Sequence, residues 1–163
     1  MRKLLITSAC VLLTACSTTT QTGADLYGNT SGGWREDVDI TSLQATSLTK
    51  ALQKTGQDTV YFNFNEASLD GSAKSTLQQQ AEWLQNNPKA LIVIEGRCDE
   101  RGTREYNLAL GDKRANAARS YLITKGISAN RIRTISYGKD NPIVLGSDEE
   151  SWAKNRNAKT IAY

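Results

Sequence analysis

Residues Ala90–Ile127 read ALIVIEGRCDERGTREYNLALGDKRANAARSYLITKGI, and this stretch decides the fold. It opens on the apolar run Leu91-Ile92-Val93-Ile94, short and β-branched enough to predict a buried strand from about Ala90 to Glu95. Gly96 ends the run, and a dense polar loop follows, Arg97-Cys98-Asp99-Glu100-Arg101-Gly102. A helical pattern then extends from about Thr103 to Lys125 and stops at Gly126. Within it Gly111, Ala115, Ala118 and Leu122 form a narrow small-residue face that permits close approach to a sheet. Leu110, Arg114, Ala117 and Tyr121 make the adjoining face. Asp99 leaves the strand end and Arg114 lies in the helix that folds back over it. A carboxylate and a guanidinium at the mouth of a strand–loop–helix unit form a polar clamp, and function is expected there.

The flanking sequence supplies the rest of a domain from Asp58 to Tyr163. Thr59–Phe64 reads as a strand with Val60, Phe62 and Phe64 on one face. Ser72 is the expected N-cap of a helix to Asn87, with Leu77, Ala81 and Leu84 at helical spacing and Pro88 beyond its end. Arg131–Tyr137 reads as a third strand, Gly138–Gly146 as a loop, Glu149–Asn155 as a short helix and Ala158–Tyr163 as a last strand. The order β-α-β-α-β, then a short helix and closing strand, predicts a two-layer α/β sandwich. Its mixed sheet would carry the helices on one face and leave the other partly wet.

The chain ahead of the domain has another character. Met1-Arg2-Lys3 and an apolar stretch of about ten residues suit a signal peptide and are too short for a stable membrane span. The stretch ends in Leu13-Thr14-Ala15-Cys16, which resembles the lipobox of bacterial lipoproteins; an ordinary leader with an incidental cysteine is the plainer alternative. Residues 1–15 are thus expected to be removed. Cys16 is expected to carry several acyl chains, more than the marginal anchor that one chain provides. Ser17 after it suggests outer-membrane sorting by similarity to enterobacterial lipoproteins. Residues 16–57 read as lipidated N-terminus and flexible tether, with Tyr27 and Trp34 as apolar anchors. Leu43, Ser47 and Leu48 mark a weak helix within Val38–Lys54.

Composition excludes several classes of function. The chain has 163 residues, no histidine and three cysteines, which removes zinc sites of the usual Cys/His spacing. From Cys16 onward 18 basic residues face 17 acidic ones, so no concentrated basic face for nucleic acid is expected. If the leader is removed and Cys16 acylated, Cys98 has no intrachain disulfide partner. With Arg97 and Asp99 beside it and no candidate base, it reads as a strand-end filler rather than a reactive thiol. Asp99 and Glu100 could form a catalytic pair, but adjacent strand residues point apart. Gly96 and Gly102 match no phosphate-binding loop. No catalysis is expected.

Binding suits the residues better. A guanidinium forks onto a carboxylate and an aspartate accepts from an ammonium, so Asp99 and Arg114 would complement a zwitterionic amino-acid head group. Asn107, two helical turns before Arg114, could add amide hydrogen bonds. The bland alternative stands beside this one: Arg114 pairs with Asp99 itself, or with Asp112 or Glu82.

Gly96–Thr103 followed by Glu105–Gly111 and Arg114-Ala115 closely resembles the OmpA-like peptidoglycan-binding domain, in its peptidoglycan-associated lipoprotein branch. Val60-Tyr61-Phe62, Ser136–Lys139 with Pro142 and Val144-Leu145-Gly146, and Ala153–Arg156 carry the same resemblance, as does the lipobox. It implies a non-catalytic domain that needs no cofactor or metal and holds the diaminopimelate-bearing stem peptide of peptidoglycan. By it, Asp99 receives the ammonium of diaminopimelate and Arg114 its carboxylate, while Phe64, Asn65, Arg101, Asn107 and Leu110 line the pocket. It further implies TolB and other Tol-system proteins as partners, and a link from outer membrane to wall that supports envelope integrity and constriction at division. An accessory lipoprotein of another envelope or secretion machine is the alternative.

The sequence departs from that pattern where it matters. Phe62-Asn63-Phe64-Asn65 stands where the family usually has Phe-x-Phe-Asp. An amide at 65 keeps an acceptor but removes a charge, so binding weaker than with Asp is expected, by about 1–2 kcal/mol if the contact is well desolvated. Arg97 stands where His or Asn is common, Cys98 where Ala or Thr is, and Asn157 replaces a second Arg after Arg156. Arg97 reads either as a further carboxylate contact or as a solvated rim residue.

Overall fold

The computed structural model describes residues 47–163. The leader, Cys16, Tyr27, Trp34 and the tether up to residue 46 lie outside the described residues. Among the latter, the elements run α1 (Ser47–Lys54), β1 (Thr59–Tyr61), α2 (Gly71–Asn86), β2 (Ile92–Arg97), α3 (Arg104–Thr124), β3 (Ile132–Gly138), α4 (Glu149–Asn155) and β4 (Asn157–Ala162). A 3-10 turn at Ala129–Arg131 leads into β3. The strands form one sheet in the order β1-β4-β2-β3. β2 pairs parallel with β3, and β4 runs antiparallel to both β1 and β2. The expected two-layer α/β sandwich with a mixed sheet is what forms.

The core follows from the apolar periods. Leu77, Ala81 and Leu84 of α2, Ala115, Ala118 and Leu122 of α3, and Ile92, Ile94, Ile132, Ala158 and Ala162 of the sheet are buried in one cluster. Contact between α3 and β2 is closest where two glycines meet. A Cβ built on Gly96 would lie 1.9 Å from the carbonyl oxygen of Gly111, and one on Gly111 would lie 2.4 Å from Ser136 Oγ. No side chain fits between these backbones, so the small-residue face sets the spacing of helix on sheet.

Two element boundaries differ most from the sequence reading. Asp70, not Ser72, caps α2, its Oδ1 accepting from the Ala73 amide at 2.7 Å. β1 ends at Tyr61 rather than Phe64, because the chain turns at once: the Glu66 amide donates to the Asn63 carbonyl, and Asn65 takes the left-handed φ of 58°. Asparagine tolerates that conformation better than most residues. Phe62 therefore stays buried while Phe64 swings out to 58% exposure, so the two do not share a core face.

Helix α1 ends the segment read as tether. The Thr49 hydroxyl donates to the Ala162 carbonyl and accepts from the Ala162 amide, and Leu52 is buried. β1 pairs with β4 only over Asn157–Lys159. The threonine thus satisfies backbone groups of β4 that lie beyond that pairing. The chain enters the domain beside the start of β2, since Ala162 pairs with Ile92, and the loop after Arg97 lies at the opposite end of that strand.

Candidate functional site

The loop leaving β2 and the first turns of α3 form one end of the molecule. Thr103 caps α3 by accepting from the Tyr106 amide at 3.2 Å, which stops the chain and aims the helix back across β2. Asn107, buried one turn in, donates from Nδ2 to the carbonyls of Arg101 (2.8 Å) and Thr103 (3.0 Å), fixing the loop to the helix. A cavity of about 260 Å³ opens here, and Phe64, Asn65, Asp99, Arg101, Asn107, Leu110 and Arg114 all line it. The seven pocket residues expected from the sequence are thus brought together. Cys98, Gly102 and Tyr106 complete the lining.

Arg114 and Asp99 do not pair in the manner of a simple clamp. The Arg114 guanidinium, on a residue with no exposed surface, donates to the backbone carbonyls of Glu66 (2.8 Å), Arg97 (2.8 Å) and Asn63 (3.1 Å). It knits the turn after β1, the end of β2 and the middle of α3 into one wall. These bonds go neither to Asp99 nor to Asp112 or Glu82. Burial pulls the Arg114 pKa below the ordinary guanidinium value, with the neighbouring Arg156 charge acting the same way.

Asp99, 4% exposed, is held instead by two other arginines. Arg101 donates from Nη2 to Oδ2 at 2.6 Å and from Nε to Oδ1 at 3.3 Å, while Arg156 Nη1 reaches Oδ2 at 3.4 Å. Burial works to raise the Asp99 pKa. The bonds and charge of Arg101, aided by Arg156, outweigh it and hold the carboxyl below its usual range. The Arg101 guanidinium lies over two rings, with centroids at 4.0 Å (Phe64) and 4.2 Å (Trp152). Trp152 is itself tied to the loop, donating from Nε1 to Glu100 at 3.1 Å. Glu149 lies 3.9 Å from Arg101 and 2.8 Å from Arg156.

The departures from the family pattern fall into place. Asn65 is exposed at the rim and its Oδ1 accepts from the Tyr106 hydroxyl, so the desolvation that would make a carboxylate there valuable is absent. Cys98 is buried, its thiol donating to the Asn107 carbonyl at 3.3 Å, and burial pushes its pKa up, the state of an inert thiol. Arg97 does not line the cavity. It ion-pairs with Glu95 at 2.5 Å, donates from Nε to the Asn141 carbonyl at 3.0 Å and stacks over Tyr137.

Tyr106, Trp152 and Arg156 are the site residues that sequence reasoning missed. Tyr106 adjoins Asn107 in the first turn of the helix that bounds the loop, which was an available signal. Trp152 and Arg156 arrive from α4 through tertiary packing and had none of that kind. Among the described residues no cluster of His, Cys, Asp or Glu could hold a metal, and no helix is long and apolar enough to cross a membrane.

A model of the OmpA family matches residues 61–156. The chain is 49% identical over 104 residues to a peptidoglycan-associated lipoprotein of Rhizobium meliloti, covering 64% of this chain and 59% of that protein. With a Mesorhizobium japonicum protein of the same name the figures are 48% over 103 residues, 63% and 61%. The chain thus spans under two thirds of these relatives' length. A third such protein, from Haemophilus influenzae, is 36% identical over 163 residues, 100% of this chain and 97% of its own. Among solved structures, that of the peptidoglycan-associated lipoprotein from Burkholderia pseudomallei superposes with a TM-score of 0.63 at 44% identity, covering 65% of this chain and 90% of the other.

Proposed function

The chain belongs to the OmpA family, and from that premise we propose that it is an outer-membrane lipoprotein whose periplasmic domain binds peptidoglycan non-covalently. In this reading the ligand is the diaminopimelate of the stem peptide, a residue carrying ammonium and carboxylate on one carbon. The observation that carries the reading is the gathering of a nearly buried, ionised Asp99 and two guanidiniums, Arg101 and Arg114, around one small cavity. One carboxylate facing two guanidiniums suits a zwitterion better than a simple cation or an apolar group. Cys16 supplies the lipid anchor, residues 17–46 carry the link to a domain that α1 joins by docking on β4, and the protein ties membrane to wall without catalysis. In this reading, which the sequence resemblance supports, TolB and the other Tol-system proteins are its partners and it serves envelope integrity and constriction.

The test is retention of the purified protein on isolated sacculi, with free diaminopimelate as competitor and Asp99→Asn as the variant. Loss of retention with either is expected. Retention that survives both would reject the assignment. Arg114→Ala is the poorer probe, because removing a guanidinium that satisfies three backbone carbonyls disrupts the wall of the cavity whatever the ligand.

A further inference from the structure

The cation position at Asp99 is already filled by the protein itself. Arg101 reaches both Asp99 oxygens from its side chain, and its backbone amide adds a third bond at 3.2 Å. Its guanidinium lies over the rings of both Phe64 and Trp152. A guanidinium stacked on aromatic rings forms its hydrogen bonds along its edges, so it can change partner by a small shift without leaving the rings. Arg114 has no such freedom, being enclosed and tied to three carbonyls. The Arg101 side chain is 32% exposed and is the movable one of the two guanidiniums in the lining.

From this we infer that Arg101 is a resident, exchangeable counter-ion that sets the specificity of the site: an incoming ammonium takes over Asp99, and the ligand's own carboxylate takes the released guanidinium. The inference rests on the diaminopimelate reading above and deepens it. Bare Asp99 would accept any small cation, whether a polyamine or a lysine side chain. With Arg101 in place, a simple cation must break a charge-assisted bond and add its charge to a lining that already holds two guanidiniums against one carboxylate. A zwitterion re-pairs every charge that it displaces. Arg101 therefore acts by exclusion as much as by attraction.

The test compares two ligands with the same spacing between their amines by calorimetric titration: meso-diaminopimelate and 1,5-diaminopentane, which is the same skeleton without its carboxylates. The wild-type protein should bind the first in clear preference to the second. In Arg101→Gln the preference should narrow by about tenfold, chiefly through tighter diamine binding, the size expected for losing one charge-assisted competitor. Arg101→Lys, which keeps the charge without the stacked fork, should fall between the two. A second readout needs no mutation of Arg101: with Trp34 and Trp83 replaced by Phe, Trp152 is the remaining tryptophan. Its emission should change on adding diaminopimelate, as the guanidinium moves across its ring. An unchanged preference in Arg101→Gln, from a protein that still binds diaminopimelate, overturns the exchange while leaving the site's identity standing. Wild-type protein that binds neither ligand rejects the diaminopimelate reading and the exchange with it.

Discussion

At Asp99 the electrostatics of the site can be read from a single side chain. Its folded pKa lies below that of the unfolded chain, so the stability it contributes is complete above the ordinary carboxylate pKa and drains away as pH falls through the lower, folded value. The stability difference between wild type and Asp99→Asn, followed by denaturant titration, should hold constant from neutral pH to about pH 5 and shrink below about pH 4. A difference that shrinks on raising the pH instead would mean that Asp99 is not held by Arg101 and Arg156. Asn65 carries a smaller expectation. Because it is exposed and engaged by Tyr106, Asn65→Asp should strengthen diaminopimelate binding by at most about 1 kcal/mol, measured by the same titration used for Arg101. Loop and helix spacing made Asp99, Asn107 and Arg114 legible in sequence, while Phe64, Asn65, Arg101 and Leu110 were legible only through the family resemblance. Their pairing was not. Asp99 and Arg114 suggested each other, yet Arg114 turns to backbone carbonyls and Asp99 to Arg101 and Arg156. Which of several nearby arginines reaches a given carboxylate depends on backbone turns that composition does not encode.

Among the elements, the crossing of α3 over β2 is the most constrained. The sequence marks it through Gly96 and the small face of Gly111, Ala115 and Ala118, and the structure makes it a backbone-to-backbone contact. Gly96→Ala should cost about 3 kcal/mol, because the added methyl meets a main-chain carbonyl that cannot rotate away. A conservative change at the solvent side of the same helix, such as Lys113→Arg, should cost nothing measurable. Equal stabilities for Gly96→Ala and wild type in urea would contradict the close approach. Long periodic elements such as α2 and α3 were readable within a residue or two from apolar period and their stop signals, although Asp70 rather than Ser72 caps α2. β1 was overread because Phe64 continues the period of Val60 and Phe62, while the turn that breaks it rests on the left-handed Asn65. The docking of α1 on β4 was hidden for another reason. Beside the buried Leu52, its anchor is a threonine hydroxyl satisfying strand amide and carbonyl groups, a contact that apolar period does not signal.

For the molecule as a whole, the sheet separates two ends. The chain enters through α1 beside the first residue of β2, and the cavity opens past the last, so β2 alone sets them roughly 20 Å apart at about 3.3 Å per residue. In the proposed reading, the anchored end of the chain therefore enters the domain at the end away from the pocket. The proposed function requires that diaminopimelate bind in this pocket. The most direct measurement is amide and side-chain NMR of the protein titrated with meso-diaminopimelate. Shifts concentrated on Asn65, Asp99, Arg101, Tyr106 and Asn107, together with the indole of Trp152, are expected, and Asp99→Asn should abolish them. Shifts centred instead on the separate groove lined by Tyr61, Asp70, Glu150 and Lys154, or no shifts at all, would contradict it.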